Sequence, residues 1–187
     1  MFTAIDSVPL TAIAFFMLTG ELMTSATITD RLVALSRALI GRIRGGLAQV
    51  NVLVSMFFAG MNGSVVADTA TVGALVLPAM KKAGYPAAFS AAVTGVSSTI
   101  GGIIPPSIMM IVLANATEIS IASLFAAGII PGILIGVVIM VINHYFAVKH
   151  NFERSDEPFS VRRAGKELYR SSFALLIPLV LVGSVMG

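Results

Sequence analysis

The sequence predicts an all-α, polytopic membrane protein with a re-entrant helical hairpin and a broken transmembrane helix. Of the 187 residues, 57% are hydrophobic and only 11% are charged, whereas a soluble domain carries about 25% charged residues. The basic residues fall in three separated blocks, and the apolar stretches between them are interrupted by Gly, Pro and polar residues. A helix broken in hydrocarbon is tolerated only where the freed backbone groups are buried in protein or line a polar cavity. Two of these interruptions break predicted helices, and they therefore indicate a binding site for an ion or solute within the membrane.

The basic residues predict the topology. They form three blocks, which are Arg31, Arg37, Arg42 and Arg44, then Lys81 and Lys82, then Lys149, Arg154, Arg162, Arg163, Lys166 and Arg170. The positive-inside rule places all three blocks on the cytoplasmic side, so the chain crosses an even number of times, or not at all, between neighbouring blocks. The net charge of +3 is small, and the absence of Cys excludes disulfides and thiolate metal sites.

Residues 1–44 are predicted to hold a membrane segment followed by an amphipathic helix at the cytoplasmic interface. The segment Ser7–Met23 is apolar enough to span the membrane or to lie buried. Thr29 and Asp30 then offer a helix N-cap. Four apolar residues follow at close to helical spacing, namely Leu32, Leu35, Leu39 and Ile43. A plain cytoplasmic connector helix is the alternative interpretation of this stretch.

Residues 45–80 are predicted to form a re-entrant hairpin that enters the membrane from the cytoplasm. Without the polar turn Gly60–Ser64, these 36 residues leave about 15 per arm, or about 22 Å at 1.5 Å per residue. A full span needs about 20 residues to cross about 30 Å of hydrocarbon. Two short, tilted spans joined by an outside loop are the alternative.

Residues 83–148 are long enough for two crossings and carry a single charge, Glu118, which we place in an outside turn. The first crossing, over about 86–116, is interrupted by the segment Ser97–Ser107. The second crossing runs over about 121–148.

The remaining residues complete the predicted order of segments. Residues 149–170 form a polar cytoplasmic connector, and residues 171–187 begin a further span. Within the second crossing, Gly128, Gly132 and Gly136 are spaced by four residues, which predicts a stripe for close helix packing.

The predicted hairpin tip carries neutral oxygen ligands and one acid. Asn62 and Ser64 supply the neutral oxygens, Gly60 and Gly63 permit turns with positive φ, and Ser64 is placed to cap the second arm. Asp68 follows one helical turn later on the same face and is the only charged residue of the hairpin segment. An ionisable residue at this depth indicates a functional site. Its role stays open between charge balance near a cation, support of the tip, and a first-turn interaction with the helix dipole.

The second break combines hydroxyl groups, a glycine pair and a proline pair. These are Ser97, Ser98 and Thr99 at the end of one half-helix, then Gly101 and Gly102, then Pro105 and Pro106. The prolines lack N–H groups, so carbonyl groups one turn earlier lose their partners and become ligands suited to an alkali cation. The second half-helix is predicted to start near Pro106 and Ser107, where its N–H groups could meet an anion. A proline kink satisfied by neighbouring groups is the alternative.

Strings of residues along the chain closely resemble the large membrane subunit of TRAP transporters, the DctM-like permeases. These strings are Gly20–Met23, Gly45–Leu53, Ser55–Gly60, Gly63–Thr69, Leu77–Tyr85, Ser97–Gly101 and Ile104–Ser107. The resemblance extends from about Asp6 to the end of the chain. It implies one of the two inverted repeats of an elevator-type ion transporter, in which each repeat has a re-entrant hairpin and a broken helix.

The resemblance also implies a function and partners. It implies a non-enzymatic, multi-pass permease of the bacterial inner membrane that imports organic acids of the C4-dicarboxylate, 2-oxo acid or sialic acid type. Sodium is the expected coupling ion, and no cofactor is expected. The expected partners are a small membrane subunit, a periplasmic substrate-binding protein, the organic anion and membrane lipid.

Carried over residue by residue, the resemblance implies a sodium site. Its ligands are Asn62 and Ser64 together with backbone carbonyl groups near Gly101, Ile103 and Pro105. The residues that bind substrate or support the site are Asp68, Ser97, Ser98, Thr99, Gly102, Pro106 and Ser107. The family often has Ser where Asn62 stands and Pro where Gly102 stands. Asn62 keeps an oxygen ligand, whereas Gly102 makes the loop looser.

The family's large subunit is considerably longer than this chain. We therefore expect a fragment or truncated gene product that contains part of the first half and lacks the second repeat. Two alternatives stay open, an ion-coupled carrier of similar architecture without a binding protein and a truncated fragment that does not transport.

Overall fold

A computed structural model describes Leu18 and residues 28–40, 43–152 and 161–186. These ranges contain seven α-helices and a short 3₁₀ turn, so the prediction of an all-α protein is confirmed. The helices are α1 (Ile28–Ile40), α2 (Gly46–Asn62), α3 (Val65–Lys82), α4 (Ala87–Ser98), α5 (Ile108–Thr117), α6 (Ile121–Lys149) and α7 (Val161–Met186), and the 3₁₀ turn is Thr99–Gly102. The predicted membrane segment Ser7–Met23, apart from Leu18, lies outside the described residues.

Helices α2 and α3 form a hairpin of two packed arms. The arms have 17 and 18 residues, which correspond to about 25 and 27 Å. Helix α2 is the centre of the fold because it packs against α3, α4 and α6. Its side chains Val52, Val54 and Phe58 have no exposed surface. A central helix that is buried on most sides explains why this stretch is apolar all round.

Helices α4 and α5 are the two halves of a broken helix. Helix α4 ends at Ser98, and the 3₁₀ turn and the linker Ile103–Ser107 lead to α5, which begins at Ile108. Helix α5 ends at Glu118, whose left-handed backbone with φ of 56° turns the chain towards α6. The break therefore falls where the glycine and proline pairs predicted it.

Helix α6 is, within the described ranges, the one helix long and apolar enough to cross a membrane. It has 29 residues, its most apolar window has a mean hydropathy of 2.7, and only 28% of that window is buried in the protein. Ile130 and Leu134 on its surface are 76% and 62% exposed. An apolar helix with so much uncovered surface is suited to lipid rather than water.

Helices α1 and α7 pack against each other. The Arg31 Nη1 group donates to the Arg170 carbonyl at 3.2 Å, and the Ser171 hydroxyl donates to the Arg31 carbonyl at 3.3 Å. Helix α7 begins at Val161, so helical structure starts inside the stretch that the sequence analysis treats as a polar connector. Its first turns carry charged residues that remain exposed. Hydropathy alone therefore does not identify these turns as helical.

The buried face of α1 differs in part from the prediction. Leu32 and Leu35 are fully buried as expected, but Leu39 and Ile43 are each 41% exposed. The buried row continues from Leu32 to Ser36 and Ile40, because the i, i+4 ridge faces the neighbouring helices. The described part of α1 already includes Thr29 and Asp30 in its first turn, so they are not the N-cap that the sequence suggested.

The ends of the three basic blocks lie close together. Gly45, which follows the first block, packs against Ala147, which precedes the third. The Tyr85 ring, which follows the second block, packs on the Phe152 ring with a centroid distance of 4.8 Å. The described residues that flank the three blocks therefore lie close together, as expected if the blocks share one side of a membrane.

Candidate ion and solute site

The hairpin tip is a tight turn between α2 and α3. Gly63 adopts a left-handed backbone with φ of 59°, and its N–H donates to the Ala59 carbonyl at 3.2 Å. The Ser64 hydroxyl accepts from Ala67 N at 3.4 Å and caps α3, as the sequence predicted. The Asn62 Oδ1 atom accepts from Ser64 N at 3.1 Å. The two side-chain oxygens predicted as ligands are thus held by the backbone of the turn itself.

The linker of the broken helix folds back on itself. Ile103 N donates to the Ile100 carbonyl at 2.9 Å. The Ser107 hydroxyl donates to the Gly102 carbonyl at 2.8 Å and accepts from Met110 N at 3.4 Å, which caps α5. These bonds hold the linker in place and do not involve the carbonyl groups of Gly101, Ile103 or Pro105.

The tip and the linker are in direct contact. Ile108 N donates to the Gly63 carbonyl at 3.3 Å. A Cβ atom on Gly63 would overlap the Pro106 carbonyl and lie 3.0 Å from Ile108 N. A Cβ atom on Gly101 would lie 3.6 Å from the Ser64 carbonyl carbon, which is an ordinary contact distance. The structure therefore places the two breaks together, with Asn62 and Ser64 on one side and the linker on the other.

Three carbonyl groups at this contact keep their acceptor capacity. Across residues 43–152, no hydrogen bond reaches the carbonyl oxygens of Gly101, Ile103 or Pro105. Gly101 and Pro105 are buried and Ile103 is half-buried. Carbonyl groups freed by a helix break are the ligands that discontinuous helices offer to sodium ions.

The start of α5 is less available to an anion than the sequence suggested. Ile108 N bonds to the Gly63 carbonyl, and Met110 N bonds to the Ser107 hydroxyl. Two of the first N–H groups of α5 thus hold the tip and cap the helix. Pro106 and Ser107 lie at the contact between the breaks.

A buried polar cluster lies about one to three helical turns below the tip. Its members come from α2, α3 and α4 and are Asn51, Ser55, Asp68, Thr94, Ser97 and Ser98. Asn51 Nδ2 donates to Thr94 Oγ1 at 2.7 Å, and the Ser97 hydroxyl donates to Asn51 Oδ1 at 3.3 Å. Sequence reasoning found Asp68, Ser97 and Ser98 but missed the other three. The i, i+4 spacing of Asn51 with Ser55 and of Thr94 with Ser98 was the available signal.

Asp68 is fully buried in this cluster, with no exposed surface. Neither carboxylate oxygen has a hydrogen-bond partner among the described residues. The Ser98 and Ser55 hydroxyls approach it, but the Ser98 hydroxyl is directed to the Thr94 carbonyl at 2.8 Å. A buried carboxylate without a partner costs stability, which makes Asp68 a candidate functional residue.

Thr99 is a predicted site residue that the structure places neither at the contact nor in the buried polar cluster. Its side chain is exposed, and its hydroxyl donates to the Val96 carbonyl at 2.7 Å within its own helical turn. Within the described part of the chain, no group of three His, Asp or Glu side chains gathers that could hold a metal ion.

Two discontinuous helical segments meet at their breaks and lie near a buried acid, an arrangement that is typical of membrane transporters. The family model for the tripartite ATP-independent periplasmic transporter, DctM component, matches residues 1–187, and the chain belongs to this family. It is accordingly an integral protein of the inner membrane.

Similar proteins carry transporter names. The chain is 39% identical over 98% of its length to the sialic acid TRAP transporter permease protein SiaT of Haemophilus influenzae. It is 36% identical over its whole length to the large permease protein SiaM of Vibrio cholerae. It is 37% identical over 99% of its length to the C4-dicarboxylate large permease protein DctM of Pseudomonas aeruginosa. The chain spans 30%, 44% and 43% of these three relatives, respectively.

Proposed function

We propose that the chain forms the first-repeat part of the large membrane subunit of a sodium-coupled importer of organic acids. The contact between the hairpin tip and the linker supports this proposal, because it brings two neutral side-chain oxygens to a linker with three carbonyl groups that accept no hydrogen bond within residues 43–152. Three relatives are named as transporters of sialic acid, C4-dicarboxylate and 2,3-diketo-L-gulonate, and each of these compounds is an organic acid. A small membrane subunit and a periplasmic binding protein are the proposed partners.

The proposed sodium site uses neutral oxygens at the contact. Its proposed ligands are Asn62 Oδ1 and the Ser64 hydroxyl of the tip together with the carbonyl groups of Gly101, Ile103 and Pro105 of the second break. Each side-chain oxygen already accepts one backbone N–H and keeps a lone pair for the ion. The turn that supplies these two ligands is therefore already formed before sodium binds.

Asp68 is proposed to balance the charge of the ion from the turn below. It is the only acid in the hairpin and has no partner that neutralises it among the described residues. Ser97 and Ser98 belong to the cluster that fixes the α2–α3–α4 packing around it. A cation bound at the tip would offset the cost of burying the carboxylate.

The hairpin is proposed to be re-entrant, with its tip inside the membrane. Gly45 at the base of α2 lies against Ala147 of α6, and the linker residue Ile104 at the tip lies against Gly132. The hairpin thus accompanies α6 for about 15 residues, or about 22 Å. The linker reaches as far as Gly128, and α6 continues past that residue for about 7 residues, or about 10 Å, so this contact stops short of the far end of the helix.

Cysteine labelling tests this placement in a chain that has no native Cys. Val66 beside the tip is 78% exposed and Ile119 in the outside turn is 50% exposed. We expect Val66→Cys to resist a membrane-impermeant maleimide added outside the cell, whereas Ile119→Cys reacts and Lys82→Cys reacts only from inside. Equal outside labelling of Val66→Cys and Ile119→Cys would support two ordinary short spans instead.

Uptake tests the transport function. A complete large subunit carrying this sequence, produced with its small subunit and binding protein, is expected to accumulate organic acid under a sodium gradient and not under a potassium gradient. Asp68→Asn should reduce uptake at limiting sodium by about tenfold, equivalent to about 1.4 kcal/mol. The exposed Asp30 provides the control Asp30→Asn. Uptake that is equal under both gradients would refute sodium coupling.

A further inference from the structure

The glycine stripe of α6 meets the linker and the hairpin through three different kinds of contact. A Cβ atom on Gly128 would lie 2.5 Å from the Ile103 carbonyl oxygen, which belongs to the backbone. A Cβ atom on Gly132 would overlap the Ile104 side chain at its branch. A Cβ atom on Gly136 would lie 2.5 Å from the Met56 sulfur of α2. Real Cβ atoms do not tolerate contacts this short, so each position depends on glycine or on movement of its neighbour.

The three neighbours differ in how easily they can move. The Met56 thioether ends a flexible side chain and can rotate away. The Ile104 side chain is branched and stiff near the backbone. The Ile103 carbonyl can move only if the linker moves, and the bond from Ile103 N to the Ile100 carbonyl at 2.9 Å restrains it. Gly128 is therefore the position at which a methyl group would displace the linker backbone.

The displaced atom is one of the three carbonyl oxygens at the contact that have no hydrogen-bond partner in residues 43–152. An independent observation points to a ligand there. Asn62 at the facing tip is 7% exposed, and its Nδ2 atom has no partner among the described residues. The Nδ2 group is a donor and does not itself bind a cation, but a buried amide without a partner at the contact between two backbone breaks indicates that the described residues do not complete the site.

We propose that Gly128 and Gly132 are positioning residues that set the sodium affinity of the site by holding the Ile103–Ile104 segment against α6. Neither glycine touches the ion. The inference rests on the proposed sodium site and adds a determinant outside both breaks. Helix α6 acts as a common support, since Gly136 holds α2 on the same face that Gly128 and Gly132 use to hold the linker.

The test is sodium binding to the purified 187-residue chain in lipid nanodiscs, measured with radioactive sodium, alongside its unfolding temperature in potassium. Ligand groups must be held to within about 0.5 Å, so Gly128→Ala should raise the dissociation constant for sodium by about tenfold or more. Gly136→Ala, on the same helix and beside a flexible Met, should leave it within about twofold. Gly95→Ala, with no atom within 4 Å of the added methyl, controls for helix propensity.

A double substitution keeps the inference testable if Gly128→Ala fails to fold. Gly132→Ala should weaken sodium binding, and adding Ile104→Ala, which removes the overlapping atoms, should restore it. A purely structural role would lower the unfolding temperature in potassium without changing the dissociation constant. If the native chain binds sodium but Gly128→Ala and Gly132→Ala both bind it equally well, the positioning role is wrong. If the native chain itself binds no sodium, the proposed site and the positioning role both fail.

Discussion

Replacement of Gly63 by alanine is expected to separate the hairpin tip from the linker and to lower the free energy of unfolding by about 3 kcal/mol. Part of this loss is backbone strain, because φ of 59° costs a residue with a side chain about 1–2 kcal/mol. The rest is steric, because the new methyl would overlap the Pro106 carbonyl and crowd Ile108 N at 3.0 Å. The hydrogen bond from Ile108 N to the Gly63 carbonyl would break.

Gly84 provides a matched control for the Gly63 substitution. Its φ of 78° is also left-handed, but a Cβ atom there would meet nothing within 4 Å. Gly84→Ala should therefore cost only the strain of about 1–2 kcal/mol. Chemical unfolding of both variants in the same detergent measures the difference. Equal losses for the two variants would show that the contact between the breaks contributes nothing to stability.

Asn62→Ala and Ser64→Ala are each expected to weaken sodium binding by about tenfold, which is about 1.4 kcal/mol of binding free energy. Their effects on stability in potassium should differ. Ser64→Ala removes the cap that accepts from Ala67 N at 3.4 Å and should cost about 1 kcal/mol. Asn62→Ala removes one hydrogen bond to Ser64 N but also removes a buried Nδ2 without a partner, so its stability should change little.

Matched controls for these two variants come from α5 and from the residue that precedes α6. Asn115 is exposed on α5, and Ser120 precedes α6 without a side-chain capping bond. Asn115→Ala and Ser120→Ala should therefore leave sodium binding unchanged. Unaltered sodium affinity in both tip variants would contradict the assignment of the ion to the tip.

The sequence could predict the hairpin and the broken helix because their signals are local. Charge blocks mark the ends of the arms, and Gly63, Ser64 and the Pro105–Pro106 pair dictate backbone conformations that a continuous helix does not accept. These signals depend on the residues themselves and on their immediate neighbours. The turn at the tip, the end of α4 at Ser98 and the start of α5 at Ile108 agree with them.

The partners of individual groups could not be predicted, because they depend on how distant segments meet. The carbonyl group that accepts the hydrogen bond from Ile108 N belongs to Gly63, which lies 45 residues earlier in the sequence. Asn51 reaches Thr94 and Ser97 across two helices. Spacing identifies which face of a helix is polar, but it does not identify the helix that will face it.

The faces and ends of the outer helices were harder to predict for a different reason. Leu39 fits a helical period as well as Ile40 does, and only the position of the neighbouring helices buries Ile40. Helix α7 begins at Val161 because the charged residues of its first turns can stay in water while the helix continues. Hydropathy reports where a helix enters an apolar environment, not where the helix begins.

The central claim is that the hairpin tip and the linker together form one sodium site. Equilibrium binding of radioactive sodium to the purified chain, with the Asn62→Ala and Ser64→Ala double variant beside it, tests this claim most directly. We expect saturable binding to the native chain that excess potassium does not displace, and loss of that binding in the double variant. Binding that is absent from the native chain, or equally strong in the double variant, would contradict the claim.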